Sequence, residues 1–280
     1  MQDQIKIGKL QALLGLRQEF YTDVLDFDRQ NEEIIEQSKL LPRIGLIYSI
    51  SPSVNLYGTY TESFEPQRAL IVNNPLLGGP FDPTSAYMAE TGAKGEFFKK
   101  RLSVNLALYF IENNNILINA NDPVNPDLFR QRGQEQSRGF EIDINGAIGS
   151  NLSLTANYAY NLAEITESDR EEEIGQIKEN APKHAGGIFA NYGFSGDLLK
   201  GFNLNMGTNF VSERNTLIED LQLPKYMVWD AGASYKVNKL KLALTINNLC
   251  DETHWVGGYS YVRLFPGATR NWLMNVSYNF

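Results

Sequence analysis

Polar and apolar residues alternate with a period of two in one segment of this chain after another. Residues 102–110 place one apolar set on a single face: Leu102, Val104, Leu106, Leu108 and Phe110. The same alternation recurs in residues 140–148, 152–160, 202–210 and 240–247. A period of two is typical of β-strands with one apolar face. The pattern therefore predicts an all-β protein.

The alternating segments amount to about a dozen strands of roughly 9 to 15 residues, where about 5 to 6 residues is usual. They begin near residues 9, 40, 54, 85, 102, 138, 152, 183, 202, 227, 240 and 270. Short and long connections alternate between them. The short ones are 51–53, 99–101, 149–151, 195–201 and 238–239, and the long ones are 26–39, 66–84, 113–137, 166–182, 213–226 and 255–269. This alternation predicts antiparallel neighbours with tight turns at one end and long loops at the other.

Two features favour a transmembrane β-barrel over a soluble β-sandwich. A strand needs about 9 to 11 tilted residues to cross a bilayer, and the predicted strands are long enough. Their polar faces carry Ser, Thr, Asn, Ala and Gly rather than many Lys and Glu, which suits a lumen. A soluble sandwich gives the same local alternation and stays open as the alternative, with its apolar faces packed against each other.

Composition and charge narrow the class further. With 15 Phe, 14 Tyr and 23 Gly, the chain is rich in residues that favour strands and turns. A net charge of -8 argues against a nucleic-acid partner, since phosphate binding needs clustered Lys and Arg. No run of about 18 apolar residues predicts a transmembrane helix. Two acidic runs, residues 28–37 and 167–179, are predicted to be solvated loops.

Residues 247–280 carry a more specific signal, NNLCDETHWVGGYSYVRLFPGATRNWLMNVSYNF. This segment resembles the C-terminal end of TonB-dependent outer-membrane receptors: an Asn-Leu turn, an aromatic, a Gly-rich loop, a Pro-Gly-x-x-Arg element and a closing strand that ends in Phe. Cys250 departs from the resemblance, because the family usually has Phe there. Further segments resemble the siderophore-receptor branch of that family in the same order: residues 41–67, 87–115, 138–165, 180–192 and 223–237.

The resemblance implies an antiparallel transmembrane β-barrel. Receptors of this family have about 22 strands around a plugged lumen, so a dozen strands are expected to form the C-terminal half of the barrel. We expect residues 1–280 to be a single, partial barrel region without the plug domain, the energy-coupling segment or a signal peptide. The alternative is a self-contained small barrel acting as a passive pore, because even strand counts from about 8 upward occur.

For function, the resemblance implies import of a ferric siderophore across the outer membrane of a Gram-negative cell. The ferric siderophore is then the transported ligand, and no cofactor is expected. The implied partners are the TonB energy-coupling complex, reached through the missing plug, the lipid bilayer, and the outer-membrane assembly machinery. This chain alone is expected not to transport, because the plug gates the lumen and couples it to energy.

Ligand recognition in such receptors involves extracellular loops and aromatic side chains near the outer mouth. The Gly- and Pro-rich residues 73–87 form the predicted ligand-facing loop, since constrained loops on rigid scaffolds often carry binding residues. The predicted binding residues are Tyr87, Arg138, Tyr259, Tyr261, Arg263 and Phe265. The arginines are expected to attract an anionic chelate. Loop stabilisation alone is the alternative role for the aromatic residues.

The sequence predicts no catalytic set and no metal site. His184 and His254 are the only histidines, and neither has a partner at a ligand spacing. A membrane-embedded hydrolase would need a Ser, a His and an acid on adjacent strands. Cys250 has no second cysteine for a disulfide and is expected to be a small apolar residue at a strand end. We therefore do not expect an enzyme.

Residues 272–280 are predicted to form the closing strand. Its terminal aromatic resembles the signal that the outer-membrane assembly machinery recognises. The residues expected to face lipid and to carry this signal are Trp272, Met274, Val276, Tyr278 and Phe280.

Overall fold

The computed structural model describes residues 1–26, 32–68, 71, 74–120 and 122–280. Short 3-10 helices lie at Pro75–Leu77 and Glu171–Glu173, and within the described ranges no helix is long and apolar enough to cross a membrane. Numbered in chain order, the strands are β1 (Gln2–Ile7), β2 (Leu10–Asp26), β3 (Glu32–Ser51), β4 (Val54–Glu65), β5 (Thr84–Phe97), β6 (Leu102–Asn119), β7 (Phe129–Ile148), β8 (Leu152–Glu167), β9 (His184–Gly193), β10 (Phe202–Val211), β11 (Arg214–Asn215), β12 (Gln222–Leu223), β13 (Tyr226–Val237), β14 (Leu240–Asn247), β15 (Trp255–Ser260), β16 (Arg263–Pro266) and β17 (Asn271–Tyr278).

Thirteen of the described strands form one sheet, in the order β1 to β10 followed by β13, β14 and β17. This order follows the chain, and the pairs from β1 to β4 and from β8 to β17 have antiparallel registers. Two further pairs, β11 with β12 and β15 with β16, lie in the long connections after β10 and β14. β1 and β17 are the edges of the large sheet. The prediction of an antiparallel all-β fold is confirmed.

Several strands continue further towards the long loops than the sequence predicted. The loop prediction was wrong for residues 32–37, which belong to β3 and pair with β2; residues 27–31 lie outside the described residues. Likewise, β6 and β7 both extend into the predicted loop 113–137. The predicted strand ends relied on apolar alternation, whereas the hydrogen-bond ladder between backbones needs no apolar side chain.

Contacts divide the chain into two compact units. Unit 1 comprises residues 1–92, 108–138 and 163–177. Unit 2 comprises residues 93–107, 139–162 and 178–280. Each unit contains parts of β5 to β8, and each is described separately below.

In unit 1, the register places apolar residues opposite one another on one face of the sheet, the apolar face. Ile44 of β3 lies between Leu14 of β2 and Tyr60 of β4. The opposite face is more polar, with Ser49 opposite Asn55. Because side chains alternate between the two faces along a strand, residues of similar polarity lie next to each other across the paired strands.

Unit 2 shows the same division between its two faces. On its apolar face, one row runs from Tyr192 through Leu204, Ala233 and Leu244 to Met274. The adjacent row on its polar face consists of Asn191, Asn205, Gly232, Thr245 and Leu273. Four of the residues predicted to face lipid in the closing strand lie opposite apolar residues of β14: Trp272, Met274, Val276 and Tyr278.

The apolar faces are exposed rather than packed into a core. Leu16 of unit 1 and Met206 of unit 2 are each 48% exposed. Within the described part of the chain, the buried apolar residues are Ile35, Leu41, Phe81, Ala120, Ala163, Ile165 and Leu223. Large apolar side chains of water-soluble proteins are mostly buried, so these faces require apolar surroundings. A soluble sandwich, whose apolar faces would cover each other, does not fit either unit.

Aromatic side chains of unit 1 form a row on the apolar face. Tyr60, Tyr87 and Phe110 come from the neighbouring strands β4, β5 and β6. Their ring centroids are 6.0 and 5.8 Å apart along the row. Rows of rings at this position are typical of the interface between the hydrocarbon and water in outer-membrane barrels.

Unit 2 has two such rows. The upper row lies towards the long loops and contains Phe140, Tyr158 and Phe210, with centroid distances of 5.6 and 6.3 Å. The lower row lies towards the short turns and contains Tyr192, Phe194 and Phe202, with distances of 4.9 and 5.5 Å. The two rows bracket the apolar residues between them, as the two interfaces of a bilayer would.

Two neighbouring residues of β8 test this assignment of faces. Leu154 lies opposite Ala190 on the apolar face, and Thr155 lies opposite Phe189 on the other. Leu154→Arg is expected to destabilise the inserted protein by about 2–4 kcal/mol, because the charge enters hydrocarbon. Thr155→Arg should have a much smaller effect. The measurement is urea unfolding in lipid vesicles, and equal destabilisation by both variants would contradict the assignment.

Candidate functional site

Four of the predicted binding residues lie on one hairpin of unit 2, formed by β15 and β16. Tyr259 and Phe265 pack edge to face, with ring centroids 6.2 Å apart. Tyr261 and Val262 at the tip are 65% and 91% exposed, and Arg263 begins the second strand. The hairpin therefore presents aromatic rings and a cation to its surroundings.

The buried guanidinium of Arg214 fastens this hairpin to the preceding loop. Arg214 is 5% exposed; its Nη1 donates to the carbonyl of Val256 at 3.0 Å, and its Nη2 donates to that of Trp255. The Cζ atom lies 5.6 Å from the ring centroid of Tyr226, a cation–π contact. Among the described residues, no carboxylate pairs with Arg214, so carbonyl dipoles and the ring stabilise its charge.

A second anchor comes from Asn180, in the loop before β9. Its Oδ1 accepts a hydrogen bond from the backbone N–H of Gly258 at 2.9 Å, and its own N–H donates to the carbonyl of Asn215 at 3.0 Å. At the position opposite Leu264, a Cβ on Gly258 would lie 2.7 Å from Cδ2 of Leu264 and 3.0 Å from Cδ2 of Leu223, so both leucine side chains would have to shift. Contacts from two separate loops thus hold the base of the hairpin.

The two histidines of unit 2 contact aromatic residues. Nδ1 of His184 hydrogen-bonds the hydroxyl of Tyr158 at 2.8 Å, and His254 packs on the ring of Tyr226 at 4.8 Å. Cys250 is exposed. Across the described ranges, no group of three or more His, Cys, Asp or Glu side chains could hold a metal ion.

In unit 1, an ion-pair cluster fastens the loop after β8 onto β7. Glu173 bonds both Arg130 and Arg132, the latter at 3.3 Å, and Arg130 also pairs with Asp169. Arg132 is 2% exposed and donates to Glu135 at 2.6 Å. The acidic run 167–179 was predicted to be a solvated loop, but Glu173 is largely buried, because two arginines of β7 face it.

The predicted ligand-facing loop is also fastened in unit 1. Gln131 and Asp82 exchange two hydrogen bonds, at 3.0 and 2.6 Å, and Phe81 is buried. Asp122 in the next long connection accepts hydrogen bonds from the N–H groups of Asn125 and Val124. These two hydrogen bonds lower the pKa of the Asp122 carboxyl below its usual value, and the bond from Asn125 has the larger effect. Both connections are therefore held in defined conformations.

Comparison with known proteins identifies the family of this chain. Residues 1–249 match the family model described as "TonB dependent receptor-like, beta-barrel".

The chain belongs to the TonB-dependent receptor family.

Similar proteins include receptors for metal chelates. The chain is 31% identical, over 291 residues, to the "Metal-pseudopaline receptor CntO" of Pseudomonas aeruginosa (strain UCBPP-PA14), covering 100% of this chain and 40% of the relative. It is 26% identical, over 248 residues, to the "Ferric-pyoverdine BN7/BN8 receptor" of Pseudomonas putida, covering 88% and 29%. The crystal structure of the ferripyoverdine receptor of Pseudomonas aeruginosa matches with a TM-score of 0.81 at 19% identity, covering 99% of this chain and 37% of that one.

These findings confirm the family, the β-barrel fold and the location in the outer membrane. The chain spans about two fifths or less of the length of these similar proteins: it covers 40%, 29% and 37% of them, respectively. The family is one of transport receptors rather than enzymes. Activity, substrate and partners of the whole receptor are therefore taken up as proposals.

The two remaining predicted binding residues, Tyr87 and Arg138, lie in unit 1. The hydroxyl of Tyr87 donates to Glu112 at 3.2 Å, and its ring belongs to the aromatic row. Arg138 donates to Glu164 at 3.1 Å, and its side chain is 57% exposed. Their role in ligand binding stays a prediction, and both already have partners within the receptor.

The ion-pair cluster of unit 1 predicts how firmly the loop after β8 is held. Glu173→Ala removes the shared partner of Arg130 and Arg132, so opening of this loop should become easier by roughly 1–3 kcal/mol. Trypsin should then cleave after Arg170 or Lys178 faster than in the unaltered receptor. Glu172→Ala, at an exposed neighbouring position, is the matched control, and equal cleavage of both variants would contradict the role of the cluster.

Proposed function

We propose that this chain forms part of the barrel and outer mouth of a receptor that imports ferric siderophores across the outer membrane. The names of similar receptors support this cargo, since one is a ferric-pyoverdine receptor. Energy would come from the TonB complex through a plug domain. The lipid bilayer surrounds the apolar faces in this proposal.

The observation that carries the proposal is the anchored aromatic hairpin of β15 and β16. A metal chelate offers apolar surface to Tyr259, Tyr261 and Phe265, and its anionic groups are attracted by Arg263. Because Arg214 and Asn180 fix the hairpin in advance, little conformational entropy is lost when a ligand binds. Tyr87 and Arg138 stay predictions as ligand contacts, because the Tyr87 ring belongs to the aromatic row on the apolar face and each residue already bonds a carboxylate.

A second candidate cargo is a metal-pseudopaline complex. The 31% identity to a metal-pseudopaline receptor favours it. Both candidates share the same chemistry at the hairpin, since the rings and the arginine would contact the organic part of the chelate. The metal would be carried as cargo and would need no ligand from this chain.

A passive pore made from this chain alone fits the strand count poorly. The large sheet contains thirteen of the described strands. Single-chain bacterial barrels have an even number of antiparallel strands, which close with antiparallel pairs throughout. An odd number of further strands is needed for such closure, and about nine would give the 22 strands of outer-membrane transporters.

The binding experiment uses the receptor in detergent, titrated with a panel of ferric siderophores and with metal-pseudopaline complexes. Tyr261→Ala and Arg263→Ala are each expected to weaken binding of the accepted chelate by about tenfold, the effect of losing roughly 1.4 kcal/mol of contact energy. Arg101→Ala, in the turn at the other end of the strands, is the matched control. Binding unchanged in both hairpin variants would refute the assigned site, and preference for metal-pseudopaline over the ferric siderophores would favour the second cargo.

We also propose that the closing segment, residues 272–280, is recognised by the outer-membrane assembly machinery. Its support is the row of outward apolar residues on β17 that ends in aromatic rings, where Tyr278 and Phe280 pack at 5.3 Å. Replacing Phe280 by Ala should lower the amount of folded receptor in outer membranes several-fold while the affinity of the folded fraction stays unchanged. Asn279→Ala is the control, and a matching loss in that variant would count against the proposal.

A further inference from the structure

A trough lies on the apolar face of unit 2, away from the hairpin, and follows β13. Its floor is formed by Ala231 and Ala233, and it ends at Trp229 and Tyr235, the next residues on the same face. Larger side chains of the two flanking strands, β10 and β14, rise on either side: Leu204, Met206, Leu244 and Ile246. Ala190 and Tyr192 of β9 also line the hollow.

The register explains why the hollow forms here. Ala231 lies between Met206 and Ile246, and Ala233 lies between Leu204 and Leu244. Two successive small residues in the central strand therefore face long side chains on both sides. Because side chains on one face of a strand are two residues apart, the low floor continues over successive rows.

The trough is an open hollow of substantial volume. One part of about 460 Å³ lies over Ala231 and Ala233, and a second of about 270 Å³ continues from Ala233 towards Tyr235. Both share Ala233 and Leu244 as lining residues. The lining is mainly aliphatic, so the volume suits a hydrocarbon rather than a polar ligand.

The trough lies between the upper and lower aromatic rows. On β10, these rows are marked by Phe210 and Phe202, which are separated by about 26 Å of strand at roughly 3.3 Å per residue. Strands of outer-membrane barrels tilt by about 35–45°, so this length covers roughly 20 Å of the height of an apolar band that is about 25 Å tall. Tyr235, at the lower end, lies opposite Phe202. The trough therefore opens into hydrocarbon, in the half nearer the short turns.

The geometry points to a binding site for one acyl chain of a phospholipid from the periplasmic leaflet. Short turns of these barrels face the periplasm, which places Ala233 and Tyr235 at the depth of that leaflet. An acyl chain lying over the two alanines contacts the larger side chains on both sides, and dispersion contacts are what distinguishes a bound chain from the bulk lipid.

The depth of the trough favours an acyl chain over a protein partner. Its lining extends across β9, β10, β13 and β14 and lies between the two aromatic rows, at the depth that hydrocarbon fills in a bilayer. The site requires only the outer-membrane location of the barrel and is independent of which chelate the receptor imports.

The test uses the receptor purified from outer membranes in mild detergent and observed by native mass spectrometry, with added phosphatidylethanolamine as the probe. Ala231→Phe and Ala233→Phe fill the trough and are expected to reduce the bound phospholipid by about tenfold. Ala156→Phe, on the same apolar face but lining neither cavity, is the control and should retain it. The heat-dependent gel mobility of each variant identifies the folded fraction that is compared, and Ala231→Leu provides a smaller filling residue.

Several outcomes would overturn the inference. Equal phospholipid retention in the filled variants would mean that no chain occupies the trough, and equal loss in Ala156→Phe would mean that retention is unspecific. Retention of lipopolysaccharide in place of phospholipid would contradict the leaflet. A receptor dimer that disappears when the trough is filled would identify a second copy of the chain as the occupant.

Discussion

Backbone hydrogen bonding between antiparallel neighbours is the constraint on which the other features of this barrel region depend. In hydrocarbon, each unpaired N–H or C=O group costs several kcal/mol, so every strand within the bilayer must remain in the ladder. The ladder fixes the register, and the register decides which residues share a face. Rows such as Tyr192, Leu204, Ala233 and Leu244 are therefore apolar across neighbouring strands as well as along each one.

The same constraint explains how much of the fold could be predicted from sequence. Between the aromatic rows, lipid and lumen impose opposite requirements on alternate residues, and the resulting period of two indicated the strands correctly. Beyond the rows, both faces meet water and the alternation fades, although the backbone ladder continues. Residues 32–37 were predicted to be loop for this reason, and they are strand.

The candidate site could be predicted in part. Tyr259, Tyr261, Arg263 and Phe265 are close in sequence, and one hairpin brings them together. Its anchors, Arg214 and Asn180, lie roughly 40 and 80 residues before it. Asn180 begins a segment that resembles the receptor family, but only the folded chain shows that both residues contact the hairpin. Similarly, the composition of the acidic run 167–179 gave no sign that Glu173 faces two arginines of β7.

Both anchors of the hairpin bind main-chain atoms. Arg214 meets the carbonyls of Trp255 and Val256, and Asn180 meets the N–H of Gly258. Main-chain groups are the same whatever side chains the tip carries, so residues 259–263 can be exchanged by mutation without detaching the hairpin. In the proposed site, the side chains that would contact the ligand are therefore different from the groups that hold the hairpin, so the tip could change its ligand preference with little loss of stability.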